Sequence, residues 1–257
     1  MEKNRRDLSG STLKLIAMLT MLIDHIAACV LSKVITSNPD NFDALGSVKH
    51  NQIYHIYIAM RLIGRIAFPI FIFLLIEGFK YTRNRWKYMA RLFLFAFISE
   101  IPFDMAVNLN REDILSGKIV EFSSQNVFFT LAIGMLVITV IDIIANLKID
   151  SLGLFWFKFC VAVLGMGLAF ALQTDYGAVG VLAIVAAYYF RGEKEKQTVA
   201  SCVILAATSL TELFALVDII PVYFYRGRRG LKFKWLFYAF YPVHLLALAI
   251  IIYALGL

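Results

Sequence analysis

The sequence predicts an all-α fold, a polytopic bundle of transmembrane helices, and three observations carry this prediction. Of the 257 residues, 60% are hydrophobic, against about 45–50% in an ordinary soluble domain. The apolar residues form continuous runs, several of them close to the ~20 residues that a helix needs to cross the hydrocarbon core. Basic residues lie in the short loops between the runs. Only helices and closed barrels pair their whole backbone in lipid, and a barrel would show short alternating segments, so the runs favour helices.

The boundaries of the runs give the expected spans of a single domain over 1–257. These spans are 13–32, 56–78, 88–106, 126–145, 153–172, 178–190 and 235–256. The third is expected to be broken near Pro102, because a proline removes a helical hydrogen bond.

The stretch 197–225 admits two arrangements. One crossing would carry the basic residues that follow it, Arg226 to Lys234, to the outer side, against the positive-inside rule. Two short crossings, 197–210 and 211–225, return them to the inner side. The second arrangement is favoured, so eight or nine spans, and at most ten, are expected.

Charge and cysteine usage restrict the function. The basic N-terminus and the loop 80–91 are expected in the cytoplasm, which explains the net charge of +7 by topology. Nucleic-acid binding is not expected, because the sequence shows no basic face with interleaved exposed aromatic residues. The cysteines are dispersed and the histidines are not paired with carboxylates at helical spacing, so no metal site is expected.

Ionisable residues inside the apolar runs are the candidates for function, because a charge at bilayer depth costs about 2.5–3.5 kcal/mol. Asp24 and His25 lie in the first run on neighbouring faces of the helix, about 100° apart. His25 is a candidate general base, and Asp24 its support, although a hydrogen-bonded core histidine and an Asp–Arg structural pair are the alternatives. Lys14 lies three turns before His25, either as an interfacial anchor or as an anion-binding group.

Two arginines in the second run share a helix face, because Arg61 and Arg65 are four positions apart. Neither can lose its proton. They are therefore expected to hold a phosphate, to stabilise an oxyanion, or to neutralise Asp24 and Glu100; simple structural pairing is the alternative.

Three further groups of polar residues lie in the later runs. Glu100 and Asp104 flank Pro102 in the outer half of the third span, and Glu100 is the better candidate. Asp175 and Tyr176 open the sixth span at its outer end, where a helix cap is the favoured interpretation. In the middle of the last span are Tyr241, Pro242 and His244.

Taken in order along the chain, these segments resemble the TraX family. The resemblance is carried by Leu13–Ile26, Arg61–Pro69, Glu77–Phe79, Glu100–Asp104, Gln125–Phe129, Asp175–Gly177 and Phe240–Leu246. It covers nearly the whole chain. The specificity comes from the order of the segments, because no single one is decisive.

The resemblance implies an acetyltransferase of the bacterial cell (inner) membrane with a cytoplasmic N-terminus. The family's named member belongs to conjugative plasmids and N-acetylates the pilin subunit. The family is also distantly similar to membrane acyltransferases of surface polysaccharides and to lysosomal heparan glucosaminide acetyltransferase. The polysaccharide enzymes begin with an arginine, ten residues and a catalytic histidine; here Lys14 and His25 have that spacing, and lysine loses the bidentate fork.

The implied co-substrate is cytoplasmic acetyl-CoA, and the implied acceptor is an unidentified amine or hydroxyl, on a pilin-like N-terminus, a glycan or another molecule. The expected catalytic residues are His25, Asp24 and Glu100. Donor or oxyanion binding is expected of Lys14, Arg61, Arg65, Tyr241 and His244. The acceptor side is expected at Asp104, Asp175 and Tyr176. The alternatives are a transporter with a proton or ion path through the buried charges, and a non-catalytic scaffold.

Overall fold

A computed structural model describes residues 7–37, 46–231 and 234–256, and these residues form helices and no strand. The α-helices are α1 (Gly10–His25), α2 (Ser32–Ser37), α3 (Gly46–Gly64), α4 (Ala67–Tyr81), α5 (Arg85–Phe103), α6 (Arg111–Leu115), α7 (Val127–Ile144), α8 (Ser151–Ala171), α9 (Gly177–Tyr189), α10 (Lys194–Ala206), α11 (Ile219–Tyr223) and α12 (Lys234–Leu255). The π-helical turns Ile26–Leu31 and Asp104–Asn108 continue α1 and α5. A 3₁₀ helix, Leu210–Asp218, precedes α11.

Within the described ranges, five helical segments are long and apolar enough to cross a membrane, which agrees with a membrane protein. They are Gly10–Thr36, Gln52–Tyr81, Val127–Ile144, Ser151–Ala171 and Trp235–Leu255. Helix α9 is apolar but shorter, and α5 has a basic first half. The predicted ranges 126–145, 153–172, 178–190 and 235–256 agree with α7, α8, α9 and α12 to within two residues. The ranges 13–32, 88–106 and 197–210 differ from the observed helices by three or more residues at one or both ends, because polar residues at the helix ends extend or shorten the apolar signal. The basic residues at positions 3, 5, 6 and 232, which are predicted to face the cytoplasm, lie outside the described residues.

The second expected span, 56–78, differs from its prediction because the structure divides it into α3 and α4. Pro69 has no N–H to donate to the carbonyl of Arg65, and its ring crowds that carbonyl, so the helix is interrupted there. At the break, hydrogen bonds span three residues instead of the four of an α-helix. The N–H of Arg65 donates to the Leu62 carbonyl (3.1 Å) and that of Ile66 to the Ile63 carbonyl (3.3 Å). Helix α3 also begins ten residues before the predicted start, since the apolar run marks only part of its length.

The stretch 197–225 has the paired short-helix arrangement. Helix α10 ends at Ala206, and the 3₁₀ helix and α11 return alongside it. The Nζ atom of Lys194, at the start of α10, donates to the carbonyl oxygens of Tyr223 (2.6 Å) and Tyr225 (3.1 Å). The hairpin therefore begins and ends at the same side of the bundle.

Helix α7 is the centre of the bundle and packs against α4, α5, α8 and α9. Its contact with α8 is close, because a Cβ atom at Gly165 would overlap the side chain of Val137. Small residues at such crossings let helix backbones approach in membranes. Gly167, on the exposed face of the same helix, has no heavy atom within 4 Å of its hypothetical Cβ.

The two glycines of α8 offer a matched test of this packing. Gly165→Val should lower the stability of the purified protein by about 1–3 kcal/mol through overpacking, measured as a lower thermal midpoint in detergent. Gly167→Val should stay within about 0.5 kcal/mol of the parent. Equal midpoints for the two variants would contradict the α7–α8 contact.

Candidate functional site

A histidine pair joins the first and the last helix of the bundle. The Nδ1 atom of His25 lies 2.7 Å from the Nε2 atom of His244. The Nδ1 atom of His244 lies 2.8 Å from the backbone carbonyl oxygen of Phe240. The ring of Tyr241 meets the His25 ring edge-on with centroids 5.9 Å apart, and its hydroxyl is buried with no hydrogen-bond partner among the described residues. Two residues separated by most of the chain are therefore held within hydrogen-bonding distance.

Directly beside His25, Asp24 forms an ion pair with Arg61. The Nη1 atom of Arg61 is 2.5 Å from one carboxylate oxygen of Asp24, and the two side chains are 29% and 16% exposed. The carboxylate lies against the backbone of Gly64, where any Cβ atom would overlap it. A glycine one turn after Arg61 thus makes room for the carboxylate that Arg61 binds.

Arg65 extends this pair into a network that reaches the 3₁₀ helix. Its guanidinium lies 3.9 Å from the second Asp24 oxygen and donates to Glu212 at 2.7 Å. The sequence-based candidates did not include Glu212. The sequence does carry a signal for it, because Glu212 is a carboxylate within the apolar stretch 197–225.

A small cavity of about 40 Å³ brings together four of the predicted site residues, namely Asp24, His25, Asp175 and Tyr176. Tyr176 has a φ of 62°, a left-handed conformation that costs a non-glycine residue about 1–3 kcal/mol. Its ring stacks on Phe68 with centroids 3.8 Å apart. Strain of this kind persists where the surroundings fix the backbone, and here it directs the loop into the cavity.

The expectation that Asp175 is a simple helix cap is wrong. The N-cap position of α9 is Tyr176, and no side chain makes a capping hydrogen bond there. The backbone of Asp175 is held instead by the loop before α7. Its N–H donates to the Gln125 carbonyl at 2.7 Å, and its carbonyl accepts from the Thr130 hydroxyl.

A much larger cavity, about 680 Å³, lies along the same face of α1 closer to the N-terminus. Three cations line it, Lys14, Arg91 and Arg229, and none of them forms a salt bridge with a carboxylate in the described part of the chain. One carboxylate also lines the cavity, Glu77, which accepts a hydrogen bond from the Tyr225 hydroxyl at 3.1 Å, and the other lining residues are mainly aromatic or apolar. They include Tyr81, Tyr88, Trp235, Phe237 and Tyr238. Such a cavity suits a ligand with anionic and flat apolar parts.

Phe71 contributes to the walls of both cavities, so the two lie on either side of it. Along α1, Lys14 and Met18 line the large cavity, and Met21 and His25 line the small one. One helix face therefore leads from the basic cavity to the histidine pair.

Glu100 and Asp104 line neither cavity. Glu100 accepts a hydrogen bond from the side-chain amide of Asn126, the residue that caps α7. Asp104 accepts from the Asn108 amide at 2.7 Å and from the backbone N–H of Glu121 at 2.9 Å. Their observed bonds fix the end of α5 to the loop before α7.

The fold and the polar network define a helical membrane protein whose ionisable residues converge on two cavities that share Phe71 as a wall. Residues 9–252 match the family model described as TraX protein, and the chain belongs to this family. It is similar to the probable fimbrial assembly protein FimC, serogroup H1, of Dichelobacter nodosus, with 27% identity over 260 residues and 93% of each chain covered. No solved structure matches the chain.

The ion pair of Asp24 with Arg61 should appear as an energetic coupling. Arg61→Gln leaves the carboxylate without its nearest cation and should destabilise the protein, as should Asp24→Asn. The double variant should lose less unfolding free energy than the sum of the two single losses, and the difference should be about 0.5–3 kcal/mol, as for residues in direct contact. The measurement is the unfolding free energy or thermal midpoint of all four proteins; strict additivity would contradict the pair.

Proposed function

We propose that this protein is a membrane-embedded acetyltransferase that moves an acetyl group from cytoplasmic acetyl-CoA to an amine or hydroxyl of an acceptor. One observation carries the proposal. A single face of α1 leads from a cavity with three cations that form no salt bridge among the described residues to a histidine pair beside a half-buried Asp–Arg pair. Donor-binding features and a candidate base thus lie on one path.

We also propose nine membrane passes, with the N-terminus in the cytoplasm. The support is the position of the helix ends. The Leu8 N–H donates to Phe224 at 3.0 Å, which brings the N-terminus to the end of the 197–225 hairpin. Arg85, at the start of α5, lies 2.6 Å from Asp142 near the end of α7. With the basic loops gathered at this end, the positive-inside rule assigns it to the cytoplasm.

In the proposed donor complex the phosphates of CoA bind at the large cavity. Lys14, Arg91 and Arg229 supply positive charge there, and the aromatic walls suit the adenine ring by stacking. The narrow pantetheine arm extends along α1 past Phe71 towards His25. CoA is a cytoplasmic metabolite, which agrees with a cavity at the basic end.

At the histidine, the proposed reaction is general-base catalysis of acyl transfer. The Nε2 atom of His25 takes the proton from the acceptor amine or hydroxyl as its nitrogen or oxygen attacks the thioester carbonyl. The tetrahedral intermediate then collapses, the C–S bond breaks, and the proton passes from the imidazolium to the leaving CoA sulfur. The buried hydroxyl of Tyr241 and the spare N–H groups of Arg61 are the proposed donors to the oxyanion.

For the acceptor, we propose a substrate of fimbrial assembly, with a pilin-like N-terminal amine as the first candidate. The support is family membership and the similarity to a probable fimbrial assembly protein. Asp175 lines the small cavity beside His25, and its carboxylate would favour a protonated amine before the proton is removed.

His25→Ala tests the catalytic assignment. With purified protein and radiolabelled acetyl-CoA, this variant should transfer acetyl at least about 100-fold more slowly, because general bases contribute about 10²–10⁴-fold. It should retain donor binding. The matched control is His55→Ala, since His55 is exposed on α3 and lines neither cavity. Normal transfer by a folded His25→Ala protein would overturn the assignment.

Arg91→Ala and Arg229→Ala test the donor cavity. Each should weaken acetyl-CoA binding, measured by thermal shift or calorimetry, by about tenfold, as expected for the loss of a charge-assisted phosphate contact of about 1.5 kcal/mol. Lys148→Ala removes an exposed cation outside both cavities and is the control. Equal affinity in all three variants, or no binding to the parent protein, would contradict the donor site and leave transport of an ion as the competing function.

A further inference from the structure

We infer that His244 is a positioning residue that holds His25 in the tautomer with hydrogen on Nδ1, which leaves the lone pair on Nε2 as the reactive one. The inference rests on the proposed function, because it concerns how the proposed base is oriented. It follows from the hydrogen bonds of the two rings.

The two imidazoles are arranged edge to edge in one plane. Their planes differ by 3°, and their centroids are 5.0 Å apart. That separation equals the 2.7 Å between Nδ1 of His25 and Nε2 of His244 with about one ring radius added at each side. The two nitrogens therefore face each other along the line between the rings, which is the direction of an N–H bond and of the lone pair that accepts it.

The direction of the bond is fixed by the other nitrogen of His244. The Phe240 carbonyl can only accept, so the Nδ1 atom of His244, 2.8 Å away, carries a hydrogen. A neutral imidazole carries one, so the Nε2 atom of His244 has a lone pair and accepts. The Nδ1 atom of His25 must then donate, and its own Nε2 is unprotonated.

The opposite assignment would need a doubly protonated His244. His244 is 6% exposed and packed among aromatic rings, and Arg61 already supplies a cation at Asp24, the neighbour of His25 in the chain. A second buried cation there would be costly. Neutral His244 is therefore the state that the surroundings favour.

His244 is itself held in place from two sides. Its ring stacks on Phe240 with centroids 4.7 Å apart and 17° between the planes, and Tyr241 meets it edge-on at 5.5 Å. A fixed acceptor orients the base, as a third group does in other base-activated sites. When His25 takes a proton on Nε2, the same hydrogen bond becomes charge-assisted and stabilises the imidazolium.

The test compares two substitutions at 244. In His244→Gln the side-chain carbonyl oxygen reaches the position of Nε2 and still accepts, whereas His244→Phe keeps a ring and removes the acceptor. We expect kcat to fall about 100-fold in His244→Phe with little change in the KM for acetyl-CoA, and His244→Gln to recover at least a tenth of the parent kcat. Equal kcat values for the parent and the folded His244→Phe protein would overturn the inference.

A spectroscopic measurement separates this inference from the proposed function. The chain has four histidines, so ¹⁵N-histidine labelling gives few signals, and His25→Ala identifies those of His25. In the parent protein we expect His25 to show a protonated Nδ1 and an unprotonated Nε2, and this pattern to be lost in His244→Phe. The parent pattern in His244→Phe, or a protonated Nε2 in the parent at neutral charge, would overturn the tautomer. A protein without transfer activity but with the expected pattern would overturn only the acetyltransferase.

Discussion

The cost of a charge in an apolar interior is the constraint on which the centre of this bundle depends. Asp24 lies deep in the first helix, and Arg61 and Arg65 from α3 and the following break are both within ion-pair distance of it. Arg65 in turn pairs with Glu212 from the hairpin. Removing one partner of such a pair leaves a buried charge uncompensated, which is far costlier than losing a surface pair. The network therefore determines how α1, α3 and the 3₁₀ helix lie against one another.

Backbone irregularities follow from the same requirement. Pro69 interrupts the second helical segment directly after the two arginines, and Gly64 leaves the space that the Asp24 carboxylate occupies. The π-helical turn Ile26–Leu31 begins immediately after His25. Irregular turns inside helices are frequent at functional sites, where they direct side chains to positions that a regular helix would not reach. The site thus lies where two helical segments depart from regular geometry.

Helix positions were largely predictable from the sequence, because apolar runs of about 20 residues are a strong signal in lipid. The division of α3 from α4 required the additional consideration of Pro69. Predicting the site was partly possible. His25, Asp24, Arg61 and Arg65 stand out as charges in apolar helices, and the structure brings all four together. Glu100 stood out equally, yet its bond to Asn126 belongs to the support of α7, and a sequence cannot tell which buried carboxylate meets which donor.

The spacing between Lys14 and His25 has a physical meaning in this fold. Eleven residues are about three helical turns, so the two side chains share a face about 16 Å apart. One end of that face lines the large cavity and the other lines the small one. At the first end the ammonium of Lys14 lies 4.8 Å from the centroid of the Phe237 ring, a cation–π contact that an ammonium makes without a planar fork. A lysine thus meets the requirement of this position, positive charge at the entrance to an aromatic cavity, while the helix fixes its distance from the histidine pair.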